Sequence, residues 1–178
     1  VWQQTIDFVK FMRKKMDQNT SRYNLNFSLL ATSGEGISSR FLDIDKGLYS
    51  HACLDKGYYT NSFHTEVDSN VSAFRKLELE GPYHKYCNGG SISYVELGEA
   101  PIHNPDALLS ILNYAMENNI NYLGFNFPLD ICKKCGHEGF YNSCPNCGSP
   151  DIYRIRRVSG YLEMLDNFGK GKLNEENN

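Results

Sequence analysis

The chain has 178 residues, a hydrophobic fraction of 40%, an aromatic fraction of 13% and a formal net charge of −3. That length suits one ordinary domain with a small appendage, and the apolar content is enough to fill a core. The mild negative charge excludes a global basic field that would draw the chain to nucleic acid or an anionic membrane; no apolar run nears the roughly 20 residues that span a bilayer, and residues 1–18 do not read as a secretory signal.

The chain opens at Val1, directly in an amphipathic pattern, and stops in a charged tail. It reads as a piece of something longer. Trp2, Ile6, Val9, Met12 and Met16 recur at helical spacing, and Arg13, Lys14 and Lys15 suit the negative end of that helix. NLNFSLLA alternates and predicts a strand, with Leu25, Phe27 and Leu29 on one face. The small, glycine-rich run Thr32-Ser33-Gly34-Glu35-Gly36 leads into a short helix over 37–43.

Residues 47–63 are aromatic and irregular. Ser69 or Asn70 is suited to cap a helix running from Val71 toward Cys87, which Gly81-Pro82 should break. Asn88-Gly89-Gly90 predicts a turn, and SISYVEL a second strand with Ile92, Tyr94 or Val95, and Leu97 inside. Asn104-Pro105-Asp106 is a strong helix start, with the helix reaching about Asn118; NYLGFNF is a further strand. Alternating helices and strands over 1–128 are an α/β pattern. The texture changes near Pro128, giving segments 1–128, 129–152 and 153–178.

CKKC and CPNC, eight residues apart, place Cys132, Cys135, Cys144 and Cys147 as two chelating pairs. Each pair bites one ion through a tight turn, and Gly136 and Gly148 let the backbone wrap toward the sulfurs. Four thiolates make a closed tetrahedral site, so the metal is structural. Zinc is the first assignment, iron in a rubredoxin-like site shares the ligand set, and four unligated thiols or two disulfides are the metal-free alternatives. His137 is surplus to a full ligand set and reads as a surface residue. Arg154, Arg156 and Arg157 suit either phosphate contacts or a solvated strand face or salt-bridge set, and the acidic chain favours the latter two.

RVSGYL, directly after the knuckle, resembles the glycyl-radical motif, and the four-cysteine knuckle before it resembles the anaerobic (class III) ribonucleotide reductases. TSGEGISSRF, TNSFHTEV, YCNGGSISYVEL and NFGKGKLNEE resemble further segments of that family in the same order. The family loop usually has Pro-Ala where this chain has Ser33-Gly34. The resemblance implies the C-terminal part of a ten-stranded α/β barrel of the glycyl-radical type, followed by a zinc ribbon and a radical loop. It implies Gly160 as the radical site, where loss of the α-hydrogen leaves a radical shared between amide nitrogen and carbonyl. It also implies that Ser33, Gly34, Glu35, Gly36, Ile37 and Ser38 hold the phosphates of a ribonucleoside triphosphate, a task suited to free amides at a helix N-terminus.

The family's thiyl-forming cysteine lies upstream of this chain, so Cys53 and Cys87 read as buried thiols. The radical is installed by an iron–sulfur activating enzyme that uses S-adenosylmethionine. The family works in the cytoplasm without oxygen, usually as a homodimer, with no membrane and no nucleic-acid polymer as partner. A formate-lyase-type glycyl-radical enzyme and a non-catalytic zinc-ribbon binding module are the rival readings. Asn61, Ser62 and His64 are polar among aromatics, so they suit a pocket lining; His64 equally suits a satisfied core histidine.

Overall fold

The computed structural model describes residues 2–34, 37–49, 57–66, 69–157, 162–168 and 173. The chain divides into two compact units: residues 1–32, 62–95 and 105–124, and residues 33–61, 96–104 and 125–178. No helix among the described residues is long and apolar enough to cross a membrane.

In the first unit, helix α1 spans Trp2–Tyr23 and buries Ile6. It runs well past the basic residues expected near its end. Asp17 explains the extension: it accepts from Arg13 Nε at 2.8 Å, and its carbonyl accepts from Ser21 Oγ. Asn24, at φ 51°, then stops the helix in the left-handed region. The indole of Trp2 donates to the Leu79 carbonyl at 3.0 Å, fastening α1 to α3 (Ala73–His84).

Helix α3 departs from expectation twice. Its cap is Ser72, which accepts from the Arg75 amide, rather than Ser69 or Asn70. It also carries Gly81-Pro82 inside its last turn instead of breaking there. Gly81 is where α3 meets the end of α4 (Pro105–Glu117): a Cβ built on it would lie 2.1 Å from the Asn118 carbonyl oxygen. The close approach, not a break, is what glycine provides.

Helix α4 matches its sequence signals at the N-terminus. It ends in a Schellman arrangement: the Ile120 amide donates to Ala115, the Asn119 amide to Met116, and Asn119 sits at φ 62°. Ala115 and Ile120 are both buried, which supplies the apolar contact of that motif.

Strands β1 (Ser93–Glu96) and β2 (Leu123–Asn126) form a two-stranded sheet. The Ser93 amide donates to Tyr122 and the Leu97 amide to Asn126. These bonds advance the same way along both strands, so the pair is parallel and β1–α4–β2 is a βαβ unit. Ser93 and Val95 form the fully buried face, rather than one with Ile92 and Leu97. The strand expected over 24–31 reduces to a single bridge between Leu30 and Gly90. Its amides go elsewhere: Phe27 donates to Thr20 Oγ1 and Leu29 to Asn88 Oδ1.

The second unit contains α2 (Ser38–Leu48) and an antiparallel sheet of β3 (Leu129–Cys132), β4 (Glu138–Gly139), β5 (Ile152–Arg156) and β6 (Glu163–Met164), in the order β4-β3-β5-β6. Helix α2 runs five residues beyond the expected Asp43 and buries Leu42. The β3–β5 ladder pairs Leu129 with Ile155, Asp130 with Arg154, Ile131 with Tyr153 and Cys132 with Ile152. A 3₁₀ turn at Leu165–Asn167 follows β6, next to buried Phe168.

Candidate metal centre and adjoining sites

The two cysteine turns are built alike. In the first, the Gly136 amide donates to Cys132 and the Cys132 amide to His137; in the second, the Gly148 amide donates to Cys144 and the Cys144 amide to Ser149. Gly136 (φ +72°) and Gly148 (φ +70°) occupy the same left-handed position after each CxxC. An L side chain there would be strained, so the spacing CxxCG is a requirement of the turn as well as of the ligands.

The four sulfurs lie within 4.8 Å of one another. Cys132 Sγ is 3.6 Å from Cys147 Sγ, and Cys135 Sγ is 3.5 Å from Cys144 Sγ. Zinc–sulfur bonds of about 2.3 Å at tetrahedral angles require sulfurs about 3.8 Å apart. A disulfide requires about 2.05 Å, so these are free thiols in a metal-sized arrangement. The His137 backbone amide and the Asn146 side chain draw the Cys135 thiol down to about 6, while at Cys147 a lowering backbone bond at Ser149 is outweighed by burial and the neighbouring cysteines, which push that thiol up to about 12. Cys132 and Cys144 are buried while Cys135 is exposed, so the cluster lies at the surface of its unit with two ligands set inward. His137 is exposed and its ring stacks on Tyr141, outside the cluster.

Beneath the knuckle, Asp130 is 1% exposed. Its Oδ1 accepts from Arg156 Nη1 at 2.6 Å, and its Oδ2 from the Tyr141 amide at 3.4 Å. The Arg156 guanidinium also lies 5.4 Å from the Phe140 ring centroid. Of the three arginines weighed as phosphate contacts, Arg156 is therefore committed to an ion pair within the sheet. At the end of β2, Asn126 Nδ2 donates to Glu96 Oε2 and to the Arg157 carbonyl. These contacts hold the Arg156 side chain and the Arg157 carbonyl. Gly160 lies outside the described residues.

In the loop before α2, the Gly34 amide donates to Asn61 Oδ1 at 2.8 Å and the Ile37 amide to the Gly34 carbonyl at 3.0 Å. A Cβ on Gly34 would lie 2.9 Å from Ile37 Cγ1. Ile37 is the N-cap residue and makes no side-chain capping bond. Glu35 and Gly36 lie outside the described residues, as does the Ser38 side chain.

Elsewhere, Glu80 is fully buried; its Oε1 accepts from the Thr65 amide at 2.8 Å and its Oε2 faces His64 Nδ1 at 3.6 Å. Burial opposes the Glu80 charge, but His64 and Lys76 outweigh it and hold its carboxyl below the ordinary value. His64 thus serves as the partner of a buried carboxylate. Cys87 is buried as expected, and burial pushes its thiol up. Cys53 lies outside the described residues.

The fold and site together define a mixed α/β protein whose C-terminal sheet carries a four-cysteine site able to hold a metal ion. The chain belongs to the anaerobic ribonucleoside-triphosphate reductase family, whose family model matches residues 1–178. It is 37% identical over 185 residues to the anaerobic ribonucleoside-triphosphate reductase of Escherichia coli K12, covering 96% of this chain and 25% of that protein. It is 39% identical over 178 residues to the phage T4 protein of the same name, covering 90% of this chain and 29% of the relative. The chain thus spans between a quarter and a third of these relatives. A crystal structure of the anaerobic ribonucleotide reductase from Thermotoga maritima, with glycerol in its active site, aligns at a TM-score of 0.77 and 20% identity. That alignment covers 94% of this chain and 27% of the other, and speaks to fold.

Asn61, Asp130 and His84 carry contacts that sequence reasoning did not assign. Asn61 stands out in the sequence as polar among aromatics and as part of TNSFHTEV. The TNS run was its signal, but its partner Gly34 stands 27 positions away.

Proposed function

We propose that this chain is the C-terminal portion of an anaerobic ribonucleoside-triphosphate reductase, which replaces the ribose 2′-hydroxyl of a ribonucleoside triphosphate with hydrogen, the hydroxyl leaving as water and the two electrons coming from formate or a thiol protein. The observation that carries the reading is the family match over the whole chain, joined to four sulfurs gathered just before RVSGYL. Residues 1–128 contribute to the ten-stranded catalytic barrel, residues 129–152 form the zinc knuckle, and residues 153–178 form the radical loop and tail. The full enzyme works in the cytoplasm as a homodimer.

Zinc supplies a closed four-thiolate anchor, with no open position for water or substrate. Cys132, Cys135, Cys144 and Cys147 would hold it, and the β3–β5 ladder joins Cys132 to Ile152 and Leu129 to Ile155, next to Arg156. Gly160 stores the radical. Its α-hydrogen is removed by the S-adenosylmethionine-dependent activating enzyme. In turnover the glycyl radical takes a hydrogen atom from a cysteine thiol of the larger protein, and the resulting thiyl radical takes one from the ribose. Absence of a side chain at Gly160 allows the radical centre to be planar.

The loop of Ser33, Gly34, Glu35, Gly36, Ile37 and Ser38 receives the substrate's phosphates. The Gly34 amide is spent on Asn61, so the anion falls to the first amides of α2, which Ile37 leaves without a side-chain cap. The family match favours this reading over a formate-lyase-type enzyme and over a binding module.

A backbone radical is attacked by oxygen at Cα, and breakdown of the adduct cuts the chain there. Full-length protein, activated anaerobically and then exposed to air, should lose the peptide from about Gly160 onward by mass spectrometry. An intact C-terminus in a sample that held a radical, or a cut elsewhere, would assign the radical to another residue.

A further inference from the structure

We infer that Asn126 is a positioning residue for the radical chemistry: its side-chain amide clamps the Arg157 carbonyl, where the chain leaves β5 on the way to Gly160. The inference rests on the reading of Gly160 as the radical site and adds a residue outside the RVSGYL motif.

The sheet sets both ends of the connection that contains Gly160. Arg156 in β5 pairs with Glu163 in β6, so residues 157–162 join two paired strands. Directly past that pair, the Arg157 carbonyl accepts from Asn126 Nδ2 at 2.5 Å. The clamp therefore acts on the first residue of the connection.

The surroundings of Asn126 fix which atom donates. Its side chain also lies 2.5 Å from Glu96 Oε2. A carboxylate oxygen and a backbone carbonyl oxygen both accept, so the atom between them is the amide nitrogen, and each of its two hydrogens has its own acceptor. Glu96 is a charged acceptor, which strengthens that bond and holds the amide in its orientation. The backbone of Asn126 is held as well, because its carbonyl accepts from the Leu97 amide at 2.7 Å. The clamp thus stands on the last residues of β1 and β2.

Packing leaves the placement of residue 157 to these bonds. A cavity of about 200 Å³ adjoins the clamp, lined in part by Glu96, Asn126, Phe127, Phe140, Arg156 and Arg157. On that side no close-packed layer pins the chain, and directional hydrogen bonds decide where it lies. Hydrogen-atom transfer demands such control, since a misplacement of about 1 Å can cost about 10²-fold in rate.

The two bonds of the clamp separate in a paired exchange. In Asn126→Asp/Glu96→Gln the glutamine amide donates to the aspartate and the net charge is unchanged, but the Arg157 carbonyl now faces an oxygen. A purely structural link between positions 96 and 126 survives the exchange; the hold on Arg157 does not. In the full-length enzyme, activated anaerobically, the exchange variant should keep the zinc content and thermal midpoint of wild type. Its turnover per radical should fall at least about tenfold, with the KM for the ribonucleoside triphosphate changed less than about twofold. A variant that keeps zinc and midpoint yet forms no glycyl doublet supports the clamp equally. Wild-type turnover per radical in the exchange variant, beside a wild-type doublet that collapses on Cα deuteration of glycine, overturns the clamp alone. A wild-type doublet that ignores deuteration overturns the Gly160 reading and this inference with it. An exchange variant that loses zinc or melts early makes Asn126 a structural residue and overturns the inference as well.

Discussion

Arg156 and Asp130 form an ion pair of 2.6 Å inside the four-stranded sheet, with side-chain exposures of 12% and 1%. Asp130 lies two residues before Cys132, and Arg156 lies four before Gly160, so the pair links the four-cysteine knuckle to the segment leading into RVSGYL. Removing one partner leaves the other charge buried. Asp130→Ala should cost about 3–5 kcal/mol, read from denaturant unfolding, whereas an exposed pair would cost under about 1 kcal/mol. A loss in the smaller range would mean water reaches the pair.

The metal should be structural. Purified protein should hold close to one zinc per chain, and Cys144→Ser should lose it. Because metal affinity is folding free energy in such knuckles, residues 130–157 should then exchange amide hydrogens faster. Metal-free protein with Cys132–Cys147 or Cys135–Cys144 disulfides would contradict this.

His84 predicts the acid response of the first unit. The Asn121 amide donates to Nδ1, and Ser91 Oγ contacts that same nitrogen, while Nε2 faces Ser93 Oγ at 2.9 Å. With an N–H aimed at Nδ1, the ring is neutral and carries its proton on Nε2. Burial lowers its pKa from 6.5 to about 4, with Glu80 opposing and His64 assisting. A lowered histidine pKa means the unfolded chain binds the proton first. The stability is present above about pH 6.5 and is lost as pH falls toward about 4. The urea midpoint should decline across that window, and His84→Gln should flatten the decline. An equally steep profile in His84→Gln would assign the acid sensitivity to other groups.

Gly81 offers a test of packing against propensity. Gly→Ala within a helix ordinarily stabilises by about 1 kcal/mol. Here the new Cβ meets the Asn118 carbonyl oxygen at 2.1 Å. Gly81→Ala should instead destabilise by about 1–3 kcal/mol. A stabilised variant would mean α3 and α4 separate without cost.

Local chemistry was legible in the sequence where its partners were also local. The CxxCG turns, the Asn104-Pro105-Asp106 start of α4 and strands β1 and β2 all stand where their patterns put them. The run at 24–31 reads equally well as a strand, but its amides found Thr20 and Asn88 instead of a neighbouring ladder. Gly81-Pro82 reads as a break because nothing local announces Asn118, 37 residues on. Separations of 27 and 26 positions likewise hide Asn61 from Gly34 and Asp130 from Arg156. A serine on the buried face of β1 reads as solvent-facing until His84 is seen beside it. The four-cysteine site was legible by spacing, whereas the expectations for Gly160 and for the loop at 33–38 come only from the resemblance.

The central claim is that Gly160 carries the radical. Its most direct test is electron paramagnetic resonance of the full-length protein, activated anaerobically and made with either ordinary or Cα-deuterated glycine. A radical on Gly160 gives a doublet in the ordinary sample that collapses on deuteration and is absent from Gly160→Ala protein that still holds zinc. A doublet that survives in Gly160→Ala, or that ignores deuteration, would contradict it.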